Sequence, residues 1–92
     1  MQIPMKRYVL YTELINEAQT IQAAKESFHS FTVHHARGIW KGAEEETLLL
    51  EFILKDTADN AAWVRALADE IRHMNKQATV LITESTILAE FI

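Results

Sequence analysis

Residues 46–54 (ETLLLEFIL) constrain this chain more than any other stretch, because apolar side chains occupy both parities: Leu48, Leu50, Phe52 and Leu54 on one, Leu49 and Ile53 on the other. Period-two alternation of β-favouring residues makes a strand, and a strand that is greasy on both sides belongs inside a sheet rather than at its edge. Such a strand is not stable alone, since it needs hydrogen-bonded neighbours and a covering layer. The remaining residues must supply both.

Residues 6–14 (KRYVLYTEL) offer a second strand of the same kind, with Tyr8, Leu10, Thr12 and Leu14 on one parity and Val9, Tyr11 and Glu13 on the other. Asn16 followed by Gln19 resembles a capping pair opening a helix, in which Ile21, Ala24 and Phe28 recur at helical spacing while Gln22, Lys25 and Glu26 point outward. Residues 30–41 (SFTVHHARGIWK) alternate again, Phe31, Val33 and His35 against Thr32, His34 and Ala36. Gly38 reads as a β-bulge, which would shift the parity and return Trp40 to the face of Phe31, Val33 and His35. Residues 41–43 then make the turn into the central strand.

Asp56, Thr57 and Asp59 are all able to cap a second helix, whose stripe is Val64, Leu67, Ala68, Ile71 and Met74 and which ends near Asn75. Arg72, His73 and Lys76 complement the carbonyl end of its dipole. Residues 79–83 (TVLIT) form a last strand, and residues 87–92 either continue it or make a short extra one. The order β-α-β-β-α-β predicts a single α+β domain over residues 1–92, a ferredoxin-like sandwich of a four-stranded antiparallel sheet with two helices on one face. The uncovered face then carries Val9, Tyr11, Leu49, Ile53 and Leu81 or Ile82. That is too apolar for full hydration, and it predicts a homo-oligomer, dimer or trimer.

Composition narrows the function classes. A chain of 92 residues, 49% hydrophobic, encloses one core and not two. Its formal charge of −4 provides no positive field for a phosphate backbone, so no nucleic-acid partner is expected. With no cysteine there is neither disulfide nor thiolate chemistry. No run approaches membrane-spanning length and no secretory leader opens the sequence, so the expected partners include no membrane and the expected location is cytoplasmic.

Among candidate site residues, His29, His34 and His35 are close in sequence, but adjacent strand residues point to opposite sides, so no metal site is expected. Glu13 and Glu84 both follow a Thr at strand ends, and the antiparallel layout separates them. The segment from Arg37 to Gly42 is the most distinctive, combining Arg37 and Lys41 for an anion with Trp40 for a flat ligand. Trp63 reads as a packing residue, and no catalytic triad, phosphate loop or metalloprotease helix is present. The binding residues expected are Arg37, Trp40, His35 and Glu13, with no cofactor. The function expected is a non-enzymatic oligomeric domain that binds a small molecule or a protein beside the 37–42 hairpin. The alternative is a small enzyme of the dimeric α+β-barrel type with a pocket on the sheet face, using His35, Glu13 and Trp40.

Two resemblances bear on this. Phe31-Thr32-Val33, Ala36-Arg37-Gly38 and Trp40, with Thr12-Glu13-Leu14, Gln77 and Val80, resemble a family of small bacterial ferredoxin-like proteins of unknown function. Trp40-Lys41-Gly42 with the following glutamates is similar to the CutA and PII-like trimers, which implies association through sheet edges and hairpins and ligand clefts between subunits. Where CutA proteins carry His-Pro-Tyr near the end of the second helix, this chain reads Arg72-His73-Met74-Asn75-Lys76, so no copper role is carried over.

Overall fold

The computed structural model describes every residue from Met1 to Ile92. The strand that is apolar on both parities, β3 (Ala43–Leu54), lies inside the sheet, between β2 (Thr32–Trp40) and β1 (Ile3–Glu13). β1 is central too, with β4 (Leu81–Ala89) on its far side, and every neighbouring pair is antiparallel. Helices α1 (Glu17–Ser27) and α2 (Ala58–Met74) complete the order β-α-β-β-α-β, an α+β ferredoxin-like sandwich.

Register decides which side chains meet the helices. The pairs Tyr8↔Phe52, Leu10↔Leu50 and Thr12↔Leu48 share one face, and Leu10, Leu48, Leu50 and Phe52 are wholly buried. Val64, Leu67, Ala68 and Ile71 of α2 cover them, together with Ala23 and Ala24 of α1 and Phe28 just after it. Each large side chain removed from water here contributes about 1.5–3 kcal/mol. Ala24 and Phe28 of the expected stripe are buried, joined by Thr20 and Ala23, while Ile21 is only half-buried.

The helix ends depart from expectation at one point. Thr57 caps α2, its hydroxyl accepting from the Asn60 amide at 3.1 Å. Asn16 does not cap α1 with its side chain: it adopts the left-handed conformation, φ 50°, and its amide reaches Asn75 instead. Asn is one of the few side chains that tolerate that backbone. α2 closes with a Schellman motif, in which Gln77 N–H donates to Arg72 C=O at 2.9 Å and Lys76 N–H to His73 C=O at 3.2 Å, around Lys76 at φ 53°.

No bulge occurs at Gly38. The β2–β3 register runs unbroken from Thr32↔Glu51 to Trp40↔Ala43, with Gly38 opposite Glu45. Trp40 therefore shares the face of His34 and Ala36, opposite to Val33 and His35. The glycine is required because a Cβ there would lie 2.5 Å from Trp40 Nε1 and 2.8 Å from Thr47 Oγ1: the indole lies over it. Lys41 and Gly42, both with positive φ, form the two-residue turn that suits the twist of a hairpin.

β1 and β4 are longer than their apolar runs suggest. β1 begins at Ile3 and contains Pro4, which is paired with Leu88 of β4 and lies beyond the last β3 partner, Leu54 opposite Lys6. β4 passes without a break through Glu84, Ser85 and Thr86. Glu84 is thus mid-strand, opposite Tyr8 on the helix-covered face, and not at a strand end.

Candidate functional site

The sheet face without helices is mixed rather than greasy. Val9 is buried and Leu49 half-buried, while Ile53 and Leu81 stay 42% and 46% exposed. Between them Arg7 Nε donates to Glu51 Oε2 at 2.5 Å, and His34 approaches the same carboxylate at 3.9 Å. Ile82 faces the helices and packs against the core, which leaves Leu81 as the open-face residue.

At one end of this face the chain builds a cleft of about 350 Å3, inside the range of about 300–1,000 Å3 typical of small-molecule sites. One wall is the β2–β3 hairpin, through Trp40, Lys41 and Glu45. The opposite wall is the loop that follows α2, Gln77 to Thr79, with Leu81 at the start of β4. Tyr11, Thr12 and Glu13 at the end of β1 and Thr47 of β3 lie between. Antiparallel register brings these together: Glu13 pairs with Thr47, and Tyr11 with both Leu49 and Leu81.

Three features of the cleft follow from the residues present. Its aromatic wall is the Trp40 indole, 41% exposed, with Nε1 and Cε2 close over Gly38. Thr47 is 4% exposed, yet its hydroxyl has no hydrogen-bond partner. A buried hydroxyl left unpaired costs about 1–3 kcal/mol, and a ligand group reaches this one only where the lining shifts to expose it. Glu13 and Glu45 supply two carboxylates against the single ammonium of Lys41, so the lining is acidic.

Behind the cleft lies a polar knot. Asn16 Nδ2 donates to Asn75 Oδ1 at 3.1 Å; Asn75 Nδ2 donates to Thr20 Oγ1 at 3.4 Å and to Gln77 Oε1 at 3.3 Å; and Thr12 Oγ1 donates to Gln77 Oε1 at 2.5 Å. The knot ties the end of β1, the start of α1 and the end of α2 to the loop that forms one wall.

Of the residues expected at a site, Glu13 and Trp40 meet in this cleft and the other two do not. His35 projects on the helix side of β2, where its Nε2 lies 2.6 Å from Glu17 Oε1. Arg37 shares that side, largely exposed, 4.0 Å from Glu44. Trp63 is 56% exposed on α2 and is no core residue. Sequence reasoning does not single out Gln77, Thr47, Thr12 or Tyr11 as site residues. Thr12 carries a signal all the same: a hydroxyl on the buried parity of β1, among Tyr8, Leu10 and Leu14, must find a partner.

Two groups have displaced ionisation, both outside the cleft. Burial, with the Glu84 and Asp56 carboxylates nearby, raises the Tyr8 phenol above its usual range. The Arg72 side chain, bonded to Asp69 at 2.8 Å, holds that exposed carboxyl below its usual range.

No family model and no curated protein sequence matches the chain. Solved structures do match its fold. CPII, a nitrogen regulatory PII-like protein from Thiomonas intermedia K12 bound to ADP, AMP and bicarbonate, superposes with a TM-score of 0.69 at 8% identity, covering 100% of this chain and 99% of that one. A PII-like signaling protein from Thermus thermophilus gives 0.62 at 17% identity, covering 96% and 90%. A phage SAM lyase in complex with S-methyl-5'-thioadenosine gives 0.68 at 18% identity, covering 96% and 92%. The fold is therefore that of the PII-like proteins, as the hairpin resemblance implied. The other resemblance, to small bacterial proteins of unknown function, has no counterpart among family models.

Proposed function

We propose that this chain is a homo-oligomeric domain that binds an adenosine-containing small molecule in the cleft between the β2–β3 hairpin and the α2–β4 loop. The observation that carries the reading is the half-exposed Trp40 indole lining a concavity with convergent polar groups. A flat base stacks on Trp40, and such stacking contributes about 1–3 kcal/mol. The ligand class comes from the fold neighbours: ADP, AMP and S-methyl-5'-thioadenosine share an adenosine unit.

Charge separates those ligands. Two carboxylates and one ammonium line the cleft, a poor setting for phosphate groups and a good one for a neutral or cationic nucleoside. Arg37, the residue expected to hold an anion, is on the other side of the sheet. Calorimetric titration of the chain with adenosine, S-methyl-5'-thioadenosine, AMP and ADP tests this: the two uncharged ligands bind more tightly than the nucleotides, and Trp40→Ala weakens all four. Failure of every adenosine compound to bind at millimolar concentration would sink the reading. A second copy covers the open sheet face, where Ile3, Ile53 and Leu81 are each more than 40% exposed; light scattering that gives the mass of one protomer at micromolar concentration refutes that part.

A second reading, turnover of the bound ligand, is favoured by the Glu13 carboxylate, which lines the same cleft as Trp40. Incubation with S-adenosylmethionine, followed by chromatography of the adenosine products, decides it: product formation that Glu13→Gln abolishes supports an enzyme, and unchanged ligand excludes this reaction.

A further inference from the structure

We infer that Gln77 is the specificity-determining residue of this cleft, presenting a fixed hydrogen-bond donor that selects an acceptor nitrogen on the ligand's base. The inference rests on the adenosine reading above and deepens it. An amide side chain normally offers both a donor and an acceptor, and rotation by half a turn exchanges them. At Gln77 that freedom is removed from both ends.

The acceptor end is occupied. Gln77 Oε1 receives the Thr12 hydroxyl at 2.5 Å and Asn75 Nδ2 at 3.3 Å, which uses both of its lone pairs. The donor end is fixed by what it faces: Nε2 lies 3.5 Å from the Thr79 carbonyl oxygen, a group that only accepts, so the rotated amide would set oxygen against oxygen. That contact is at the outer limit of a hydrogen bond and engages one N–H, leaving the other without a partner. The backbone is fixed as well, because the Schellman closure of α2 holds the Gln77 N–H on Arg72 C=O at 2.9 Å. Asn75, which orients the amide, is itself 6% exposed and bonded to Asn16 and Thr20.

Gln77 therefore enters the cleft as a donor and nothing else. A purine offers ring nitrogens as acceptors, and one of them must take this bond when the base lies against Trp40. The Glu13 and Glu45 carboxylates in the same lining accept from an exocyclic amine.

Adenosine and its 1-deaza, 3-deaza and 7-deaza analogues, each with one ring nitrogen replaced by C–H, are titrated by calorimetry against the wild-type chain, Gln77→Glu and Gln77→Met. Gln77→Glu keeps an oxygen for Thr12 and Asn75 but replaces the donor with a charged oxygen facing the Thr79 carbonyl; Gln77→Met removes both ends without adding charge, so an effect common to the two variants reports the lost donor. In the wild type one analogue binds about ten-fold more weakly than adenosine, and in both variants that penalty disappears, a coupling a merely structural Gln77 does not produce. If adenosine binds and no analogue is penalised, or the penalty persists in the variants, the assignment of Gln77 is overturned while the adenosine reading stands. If adenosine and all its analogues fail to bind the wild type, both are overturned.

Discussion

Replacing Gly38 with alanine tests the geometry on which the cleft depends. The added Cβ would lie 2.5 Å from Trp40 Nε1, 3.2 Å from Trp40 Cε2 and 2.8 Å from Thr47 Oγ1, all inside contact distance. Thr47 is buried and has nowhere to go, whereas Trp40 is 41% exposed, so the indole is the group that swings away. Overpacking of this kind costs about 1–3 kcal/mol. Against it stands a gain of about 0.5–1 kcal/mol from restricting the unfolded chain at a strand position. The net destabilisation is then about 1 kcal/mol, a fall of about 4–8 °C in the melting midpoint for a domain of this size. The decisive signal is optical: in a Trp63→Phe background Trp40 is the only indole, and its emission shifts to the red as it enters water. Adenosine affinity falls with it. A Gly38→Ala chain that is more stable than the parent, with unchanged Trp40 emission, would show that the indole does not lie over Gly38.

Three further perturbations probe the frame. Leu50→Ala removes a side chain with no exposed surface from the centre of the sheet and costs about 2–5 kcal/mol, read as a lower urea midpoint with an unchanged slope. Thr57→Ala removes the hydroxyl that accepts from the Asn60 amide and costs about 1 kcal/mol, restored in large part by Thr57→Ser. The Tyr8 phenol is raised by burial and by Glu84 and Asp56, so the folded chain keeps that proton at a pH where the unfolded chain has lost it. Stability is whole below the ordinary phenol range and declines as pH rises from about 10 through the folded midpoint. Denaturation midpoints followed into that range fall more steeply for the wild type than for Tyr8→Phe.

The frame was legible because period-two and helical spacing are written into single segments. Residues 46–54 could sit nowhere but inside a sheet, and the stripe of α2 named its own buried face. What misled was Gly38, where local reasoning offers two explanations for a strand glycine, an extra residue or a close approach. Only the partner strand decides between them, since the one-to-one pairing of Gly38 with Glu45 excludes a bulge. That one parity step moved Trp40 to the open face and parted it from His35. Asn16 failed for a related reason: a cap is a local reading, and the Asn75 amide that takes its side chain is 59 residues away. The cleft itself was half-legible. Glu13 and Trp40 are unusual in sequence, whereas Gln77 and Thr47 become significant only when Oε1 is seen to be occupied and Oγ1 to be unpaired.

The cleft and the open face are not independent surfaces. Tyr11, Thr47 and Leu81 line the one and belong to the strand parity that forms the other. A ligand against these side chains alters the surface that a second copy would meet, and a second copy alters the wall that the ligand meets. Binding free energies coupled in this way are reciprocal by thermodynamic necessity. Adenosine affinity must then rise with protein concentration if the ligand favours the assembly, and fall if it opposes it. Titration at two protein concentrations tenfold apart separates a cleft completed within one protomer, for which the affinity is constant, from one completed between copies. The acidic lining bears on the same point: Glu13 and Glu45 are set against Lys41 alone within the protomer, so a second copy that placed a Lys or Arg beside the cleft would supply positive charge that the protomer lacks. A preference for ADP over adenosine that appears only at the higher concentration identifies that contribution.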